Sequence, residues 1–286
     1  MELLSGEHVV SHIENECMKS MKQIGDLGLK PPHIHVFQFG NDPSSSQYVK
    51  RIARNCQRFG IKFDHMHYIK DKDEFCRTLM ASCNNSEISA VMVQQPLPKD
   101  LMFCVDYIPF VKDVEGVTTV SMGRLFKGEP ALAPCTAEAV MEILDFYDIS
   151  LEGKKVAIVG RSNIVGKPLT MMLLDRNATV KVCHSKTKYL SAELKIFEII
   201  IVAIGKANFI STDSVNPHSI VIDVGTNYTE SNRLVGDVNF DKVRHRVSRI
   251  TPVPGGVGLV TNIMLIKNII NAYKFQHPEL DDEDEE

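Results

Sequence analysis

The stretch VAIVGRSNIVGKPLTMMLL (Val156–Leu174) decides the fold, because it joins an apolar strand, a glycine turn and an apolar helix. Gly160 ends the strand and Gly166 opens the helix. A Rossmann fold seats the pyrophosphate of a dinucleotide on a helix N-terminus at such a corner. The spacing departs from G-x-G-x-x-G, since Ser162 replaces the middle glycine and the last interval is longer. The flanking alternation of strands and helices favours a nucleotide site over a purely structural corner.

The strand after this corner indicates which dinucleotide binds. An NAD site usually has an acid about 20 residues after the glycines, which binds the ribose 2′-hydroxyl. No acid occurs between Asp175 and Glu193. A hydroxyl and cationic side chains stand near this strand end and in the glycine turn: Arg161, Ser185, Lys186 and Lys188. These groups suit a 2′-phosphate, so the sequence predicts NADP, with NAD as the alternative; a solvated lysine surface is the competing interpretation.

Strands and helices alternate along the rest of the chain. Apolar runs predict strands at 33–40, 62–69, 90–98, 154–160, 179–185, 198–205 and 219–225, and a short further element at 249–258. Helices are predicted at 6–28, 45–59, 71–86, 136–148 and 258–276, with Thr136 as an N-cap. This alternation implies βαβ units, parallel sheets and an α/β fold class. The passage 109–136 breaks the rhythm and is predicted to be an irregular loop.

Composition excludes several classes of function. The 286 residues suggest about two domains, and the net charge of −4 gives no electrostatic footprint for nucleic acid. Seven scattered cysteines without metal-ligand spacing predict reduced thiols, a cytoplasmic location and no metal. The start resembles no signal peptide, and no apolar run of about 18 residues predicts a membrane span. The acidic end 279–286 is predicted to be a disordered, solvated tail.

Eight motifs occur in an order that is specific to one family. They are VMVQQPLP (91–98), KDVEG (112–116), APCT (133–136), GRSNIVGKP (160–168), ATVKVCHSKT (178–187), VIDVGTN (221–227), GDVNF (236–240) and TPVPGGVG (251–258). With these motifs the chain resembles the methylenetetrahydrofolate dehydrogenase/methenyltetrahydrofolate cyclohydrolase family over nearly its whole length. Eight ordered matches are very improbable by chance.

The resemblance implies an architecture and an activity. We expect two α/β domains with a cleft between them: a folate-binding catalytic domain (1–136 plus 262–286) and a Rossmann NAD(P)-binding domain (137–261). The family's enzymes are usually homodimers that oxidise 5,10-methylenetetrahydrofolate with NADP or NAD. Most then hydrolyse the methenyl product to 10-formyltetrahydrofolate. The expected place is therefore one-carbon metabolism and purine biosynthesis, with tetrahydrofolate derivatives as partners.

The family's folate-site pattern S-x-x-Y-V-x-x-K is altered in this chain. It reads Ser45, Tyr48, Val49 and Ile52, so the family's catalytic lysine is absent from its position. Hydride transfer needs mainly positioning, whereas cyclohydrolysis needs a group that handles protons. Arg51, at i+3 from Tyr48, shares a helix face with it and could substitute electrostatically, but it stays protonated and cannot act as a base.

The resemblance also assigns the remaining site residues. The catalytic residues are expected to be Tyr48 and Gln94. The substrate-binding residues are expected to be Tyr48, Gln94, Glu115 (an aspartate in the family), Pro254, Gly255 and Gly256. The expected cofactor-binding residues are Gly160, Arg161, Ser162, Ile164, Gly166, His184, Ser185, Thr226 and Gly256. After the glycine loop the family's Pro-Met-Thr is replaced by Leu259, Val260 and Thr261.

Three functions follow as hypotheses. The first is a methylenetetrahydrofolate dehydrogenase with weak or absent cyclohydrolase activity, because the Ile52 side chain has neither a charge nor a titratable proton. The second is a fully bifunctional enzyme. The third is a non-catalytic folate- or nucleotide-binding relative, since the altered positions all lie on the folate side.

Overall fold

A computed structural model of the chain describes residues 1–280, which form two compact α/β units. The strands are β1 (Glu2–Leu3), β2 (His33–Phe39), β3 (Lys62–Tyr68), β4 (Ala90–Val93), β5 (Lys155–Val159), β6 (Thr179–Cys183), β7 (Ile199–Val202), β8 (Ile220–Asp223), β9 (Asn227–Tyr228), β10 (Leu234–Val235) and β11 (Arg249–Ile250). The α-helices are α1 (Gly6–Asp26), α2 (Pro43–Phe59), α3 (Lys72–Asn84), α4 (Thr119–Phe126), α5 (Cys135–Phe146), α6 (Gly166–Asp175), α7 (Leu190–Leu194), α8 (Phe240–Val243) and α9 (Val257–Phe275). Short 3₁₀ turns cover Lys99–Tyr107, Phe110–Lys112, Thr212–Ser214 and Pro278–Leu280.

The nucleotide unit consists of Met1–His12 and Pro134–Met264. Its parallel sheet has the strand order β1-β11-β8-β7-β5-β6. Strands β5 and β7 are almost wholly buried, which explains their continuous apolar runs. The chain leaves β5 toward β6 on one side and later returns to β7 on the other. The carboxyl ends of β5, β6 and β7 therefore surround a topological switch point, where open α/β sheets bind ligands.

The second unit, called the folate unit here after the ligand that the resemblance implies, consists of Ile13–Ala133 and the described chain from Leu265 to Leu280. Its parallel sheet has the order β3-β2-β4. Phe37 of β2 packs edge-on against Phe75 of α3, at a centroid distance of 5.7 Å, in a core that also contains Leu79. The fold class predicted from the sequence is thus confirmed: two α/β units, each on a parallel sheet.

The N-terminal segment lies in a different unit from the one that the sequence assigned. The predicted folate domain began at residue 1, whereas the structure groups residues 1–12 with the nucleotide unit. Strand β1 pairs in parallel with β11, with Glu2 opposite Arg249 and Leu3 opposite Ile250. A two-residue strand carries too little pattern to be recognised before its partner is known.

Two local predictions are wrong. The passage 109–136 is not wholly irregular, because it contains α4, whose N-cap Thr118 accepts a hydrogen bond from Ser121 N. Thr136 is not an N-cap either: α5 begins at Cys135 after Pro134, so Thr136 lies within the first turn. Most of the acidic tail, 281–286, lies outside the described residues.

Within residues 1–280, the helices are too short or too polar to cross a bilayer.

Candidate active site

The glycine corner after β5 is held in shape by steric necessity. Gly160 has a φ of 133°, and a Cβ there would overlap the carbonyl oxygen of Ala203 on the neighbouring strand. A Cβ on Gly166 would overlap the carbonyl oxygen of Gly160. Ser162 Oγ accepts a hydrogen bond from Val165 N at 3.1 Å, which closes the turn before α6. The corner therefore leaves the backbone bare where a pyrophosphate would approach.

A cavity of about 300 Å³ opens beside this corner at the carboxyl ends of β5, β6 and β7. Four predicted cofactor residues line it: Gly160, Arg161, His184 and Ser185. The wall also contains residues that sequence reasoning missed: Val159, Leu190, Ala203, Ile204, Lys206 and Phe209. The apolar residues suit the flat aromatic base of a nucleotide. Several of them follow the end of strand β7, and this position at a strand's carboxyl end could have indicated them from the sequence.

The other predicted cofactor residues do not line this cavity. Ile164 and Thr226 are exposed, Ser162 and Gly166 shape the turn, and Gly256 lies in the glycine loop after β11. His184 has a local role, since its Nδ1 accepts a hydrogen bond from Lys186 N at 3.2 Å.

The wall of the cavity after β7 is braced by Asp237, a fully buried residue of the GDVNF motif. Its carboxylate accepts hydrogen bonds from the backbone N–H groups of Ile204 (2.7 Å), Gly205 (3.0 Å) and Lys206 (2.7 Å). Asn227 Nδ2 donates a fourth at 2.9 Å. The sequence contained the motif but did not show that its acid holds the wall of this cavity.

A second buried acid, Asp223, ties the end of β8 to the same motif. Its carboxylate accepts hydrogen bonds from Gly225 N, Asp237 N and Val238 N, each at 2.9 Å. Burial raises the pKa of Asp223 to about 7, although the three backbone donors work in the opposite direction.

The folate-side residues are assembled at the carboxyl edge of the three-stranded sheet. Asp42 caps α2 by accepting from Ser45 N at 2.8 Å, and Pro43 occupies the first turn. Ser45 Oγ lies 2.8 Å from the carbonyl oxygen of Gln95, just beyond β4. This contact holds the start of α2, and with it Tyr48 one turn on, beside the end of β4.

Gln94 and Glu115 lie at the same carboxyl edge of the three-stranded sheet, because the segments before them run parallel to each other. Asp113 pairs in parallel with Val91, so the chain beyond it runs alongside β4 toward Gln94. Gln94 Oε1 is buried and has no hydrogen-bond partner among residues 1–280, while its Nε2 donates to Gln95 O at 2.9 Å. A buried polar atom left unpaired is costly, which indicates a ligand-facing group.

The Glu115 carboxylate also receives no hydrogen bond or ion pair from the described residues. Burial, with a further contribution from the charge of Asp113, raises its pKa to about 8. Its backbone, in contrast, is firmly held. Asn268 of α9 donates to the carbonyl oxygens of Val114 (3.0 Å) and Ala133 (3.1 Å), and sequence reasoning missed this residue.

Position 52 faces the interior of the folate unit. Ile52 is 3% exposed and shares the buried face of α2 with Val49, Cys56 and Phe59. Arg51 is exposed on the same helix. The position at which the resemblance expects a lysine therefore carries an apolar, buried side chain.

The glycine loop after β11 belongs to the nucleotide unit. Gly255 has a φ of 106°, and its carbonyl oxygen accepts a hydrogen bond from Gly6 N at 2.7 Å. A Cβ on Gly256 would lie 2.5 Å from the carbonyl oxygen of Pro252, and Pro254 is exposed. These three residues therefore belong to a different unit from Tyr48 and the other predicted substrate-binding residues.

Comparison with known proteins matches both units. The family model described as tetrahydrofolate dehydrogenase/cyclohydrolase, catalytic domain, matches residues 4–115. The model of the NAD(P)-binding domain of the same family matches residues 134–277. Among curated relatives, the bifunctional protein FolD of Dictyoglomus turgidum is 41% identical over 276 residues, covering 95% of this chain and 98% of the relative.

Solved structures agree with the sequence matches. The bifunctional FolD methylenetetrahydrofolate dehydrogenase/cyclohydrolase of Campylobacter jejuni superposes with a TM-score of 0.92 at 38% identity, covering 96% of this chain and 99% of that one. FolD of Trypanosoma brucei, crystallised with NADP cofactor and an inhibitor, gives a TM-score of 0.87 at 28% identity, covering 96% and 97% of the two chains.

Proposed function

The chain belongs to the tetrahydrofolate dehydrogenase/cyclohydrolase family, and from that premise we propose that it oxidises 5,10-methylenetetrahydrofolate with NADP while hydrolysing the methenyl product weakly or not at all. The glycine corner and its cavity support the first half of this proposal. The single observation that carries the second half is Ile52, an apolar, buried residue at the position of the family's catalytic lysine.

Hydride transfer makes modest demands on the protein. The hydride leaves a carbon between two nitrogens, whose lone pairs stabilise the cation that forms; oxidised NADP, when bound at the glycine corner, would supply the hydride acceptor. The protein's task is to hold both reactants at near-attack distance. On the folate side, Tyr48 stacks against the folate, and Gln94 Oε1 and Glu115 accept hydrogen bonds from pterin donors. Those two acceptors are otherwise unpaired in the described chain.

Cyclohydrolysis makes demands that these residues meet poorly. Water must add to the methenyl carbon, and protons must move as the ring opens. A lysine with a lowered pKa would suit that task, whereas Ile52 cannot give or take a proton. Arg51 supplies charge without acting as a base.

Two assays on the purified protein test this proposal. With methylenetetrahydrofolate and NADP or NAD, we expect methenyltetrahydrofolate to form. With methenyltetrahydrofolate alone, we expect loss at no more than the buffer rate. Rapid hydrolysis would support the bifunctional alternative, which the names of the relatives favour. Folate binding without hydride transfer would support the non-catalytic alternative.

The variant Ile52→Lys assigns the deficit to one position. We expect it to hydrolyse methenyltetrahydrofolate faster than the wild type, because it restores a titratable amine beside Tyr48. Gln57→Lys is the matched control, since it adds the same charge at an exposed position of α2. Circular dichroism must show that Ile52→Lys folds, and a folded variant without a gain would remove Ile52 as the cause.

NADP is the proposed cofactor because cationic and hydroxyl groups stand at the cavity. Arg161, Ser185 and Lys206 line it and are exposed, so they can reach a 2′-phosphate. We also propose that the enzyme acts as a cytoplasmic homodimer that supplies one-carbon units for purine biosynthesis. A sedimentation experiment on the pure protein tests the dimer.

A further inference from the structure

Two histidines and an aspartate come together at the amino end of the folate-unit sheet. His33 and His35 of β2 are two residues apart and so point to the same face. Asp64 of β3 stands opposite His35 in the parallel ladder. The Asp64 Oδ2 atom lies 2.6 Å from His33 Nε2 and 3.6 Å from His35 Nε2. One ligand atom from each residue falls within 4.8 Å of the other two.

The hydrogen bonds fix which nitrogen of His35 carries its proton. Ser82 Oγ donates its only hydrogen to Thr78 O at 2.9 Å. His35 Nδ1, 2.9 Å from Ser82 Oγ, must therefore be the donor in that pair. When the ring is neutral, its Nε2 lone pair faces the Asp64 carboxylate without a hydrogen between them.

A cation bound between His35 Nε2 and the Asp64 carboxylate would separate these two electron-rich groups and be ligated by both. Metal-binding histidines commonly donate their other ring N–H to a fixed acceptor, as His35 does to Ser82. Tetrahedral zinc with bonds of about 2.0–2.1 Å needs ligand atoms about 3.3 Å apart, a spacing that small side-chain movements reach here. We propose that His33, His35 and Asp64 form a binding site for a divalent transition-metal ion, with Zn²⁺ as the matching ion.

The residues around the proposed site determine how a metal ion enters it and how tightly the ion binds. The Asp64 side chain is 47% exposed, whereas those of His33 and His35 are 8% and 12% exposed, so an ion enters from the aspartate side. The charges of Lys62 and Lys112 act on His35 and weaken cation binding. Two imidazoles and one carboxylate still suit zinc, with a fourth position left for water.

The site would serve stability rather than chemistry. His33 begins β2, whereas Gln94 and Glu115 lie at the opposite, carboxyl end of the sheet. An ion here would clamp β3, the outer strand, to the central strand β2. The spacing of the cysteines, from which the sequence predicts no metal, does not reveal the H-x-H pattern of strand β2.

Zinc binding to the full-length, metal-stripped protein tests the proposal. Isothermal titration with ZnCl₂ should show one high-affinity equivalent per chain, and a zinc concentration about 100-fold above Kd should raise Tm by about 5 °C. Co²⁺ should replace zinc and give the absorption of a tetrahedral nitrogen- and oxygen-ligated ion.

Variants separate this site from the other histidines and the seven cysteines. His35→Gln and Asp64→Asn should each weaken zinc binding about 10-fold or more and, at the same zinc concentration, reduce the Tm shift to about half or less. His67→Gln is the matched control: it removes an exposed histidine from the same β3 strand, hydrogen-bonded to Gly40 O, and should bind like the wild type. Equal affinity of wild type and His35→Gln, or loss in His67→Gln alone, would overturn the assignment. Should one variant fail to fold, the other ligand variant and the cobalt spectrum decide.

Discussion

The two buried acids beside the nucleotide cavity and two acceptors of the folate unit differ in how many hydrogen bonds they receive. In the nucleotide unit, Asp237 accepts four hydrogen bonds and Asp223 accepts three. In the folate unit, neither the Glu115 carboxylate nor Gln94 Oε1 receives one from residues 1–280. Asp237 and Asp223 are satisfied mainly by backbone N–H groups of their own unit, whereas Gln94 Oε1 and the Glu115 carboxylate retain their acceptor capacity for a ligand.

This difference fits the function proposed above. We expect the cofactor to bind against backbone that the acids and glycines hold in place. We expect the folate to be bound through side chains, so that substitutions such as Ile52 and Glu115 alter the chemistry without disturbing the fold. The following changes test that contrast, from the largest expected effect to the smallest.

Gly160→Ala should cause the largest damage. Its Cβ would overlap Ala203 O, and the φ of 133° is strained for alanine, so we expect a loss of about 3–5 kcal/mol or failure to fold. Urea unfolding measures it. Gly25→Ala in α1 is the control, because its Cβ meets nothing within 4 Å and helix propensity favours it. A folded Gly160→Ala protein with normal NADP affinity would contradict the rigid-backbone account.

Asp237→Asn should have the next largest effect on stability. Each carboxylate oxygen accepts two hydrogen bonds, so an amide in place of either oxygen leaves two donors unpaired. We expect a loss of about 2–4 kcal/mol and weaker cofactor binding, since Lys206 lines the cavity. Thermal unfolding and NADP titration give the two values. Asp241→Asn, exposed on α8, should change neither.

Glu115→Gln should change the pH dependence of stability. Because burial raises the pKa of Glu115 from its ordinary 4.5 to about 8, the folded protein holds a proton between those pH values that the unfolded chain has released. Wild-type stability should therefore fall as pH rises through this window. Because the Glu115 side chain is partly exposed, the full shift is discounted. The free energy of unfolding of Glu115→Gln should exceed that of the wild type by about 1–3 kcal/mol at pH 8.5 and nearly equal it at pH 4.5.

Unfolding free energies measured across this pH range, wild type against Glu115→Gln, isolate the effect. Asp223, whose pKa is about 7, contributes equally to both proteins and cancels in the difference. Two parallel pH profiles would show that the Glu115 carboxylate is solvated.

Arg161→Ala should have the smallest effect. We expect NADP affinity to fall about 10-fold, or about 1.4 kcal/mol, with NAD affinity and Tm unchanged, because only the 2′-phosphate contact is lost. Fluorescence titration with both dinucleotides measures it. Lys188→Ala, exposed and absent from the cavity lining, provides the comparison. Equal losses for NAD and NADP would assign Arg161 to the pyrophosphate instead.

Much of the architecture was accessible from the sequence. Most of the long strands and helices were located to within a few residues, because apolar periodicity extends over several turns or pleats. The strand predicted at 90–98 is an exception, since β4 ends at Val93. Short elements such as β1 and α4 were missed, since two to eight residues carry little periodic signal. Thr136 was misplaced because the helix starts one residue earlier than predicted, with Pro134 at the N-cap and Cys135 as its first residue.

By itself, the sequence determined the Rossmann corner, the order of the motifs and the family, since backbone sterics and periodicity express themselves locally. Only the tertiary structure decided which groups meet: Asp237 with the loop after β7, Asn268 with the carbonyls beside Glu115, and His35 with Asp64. Those contacts join residues far apart in the chain. They depend on sheet register and helix packing, which no local pattern specifies.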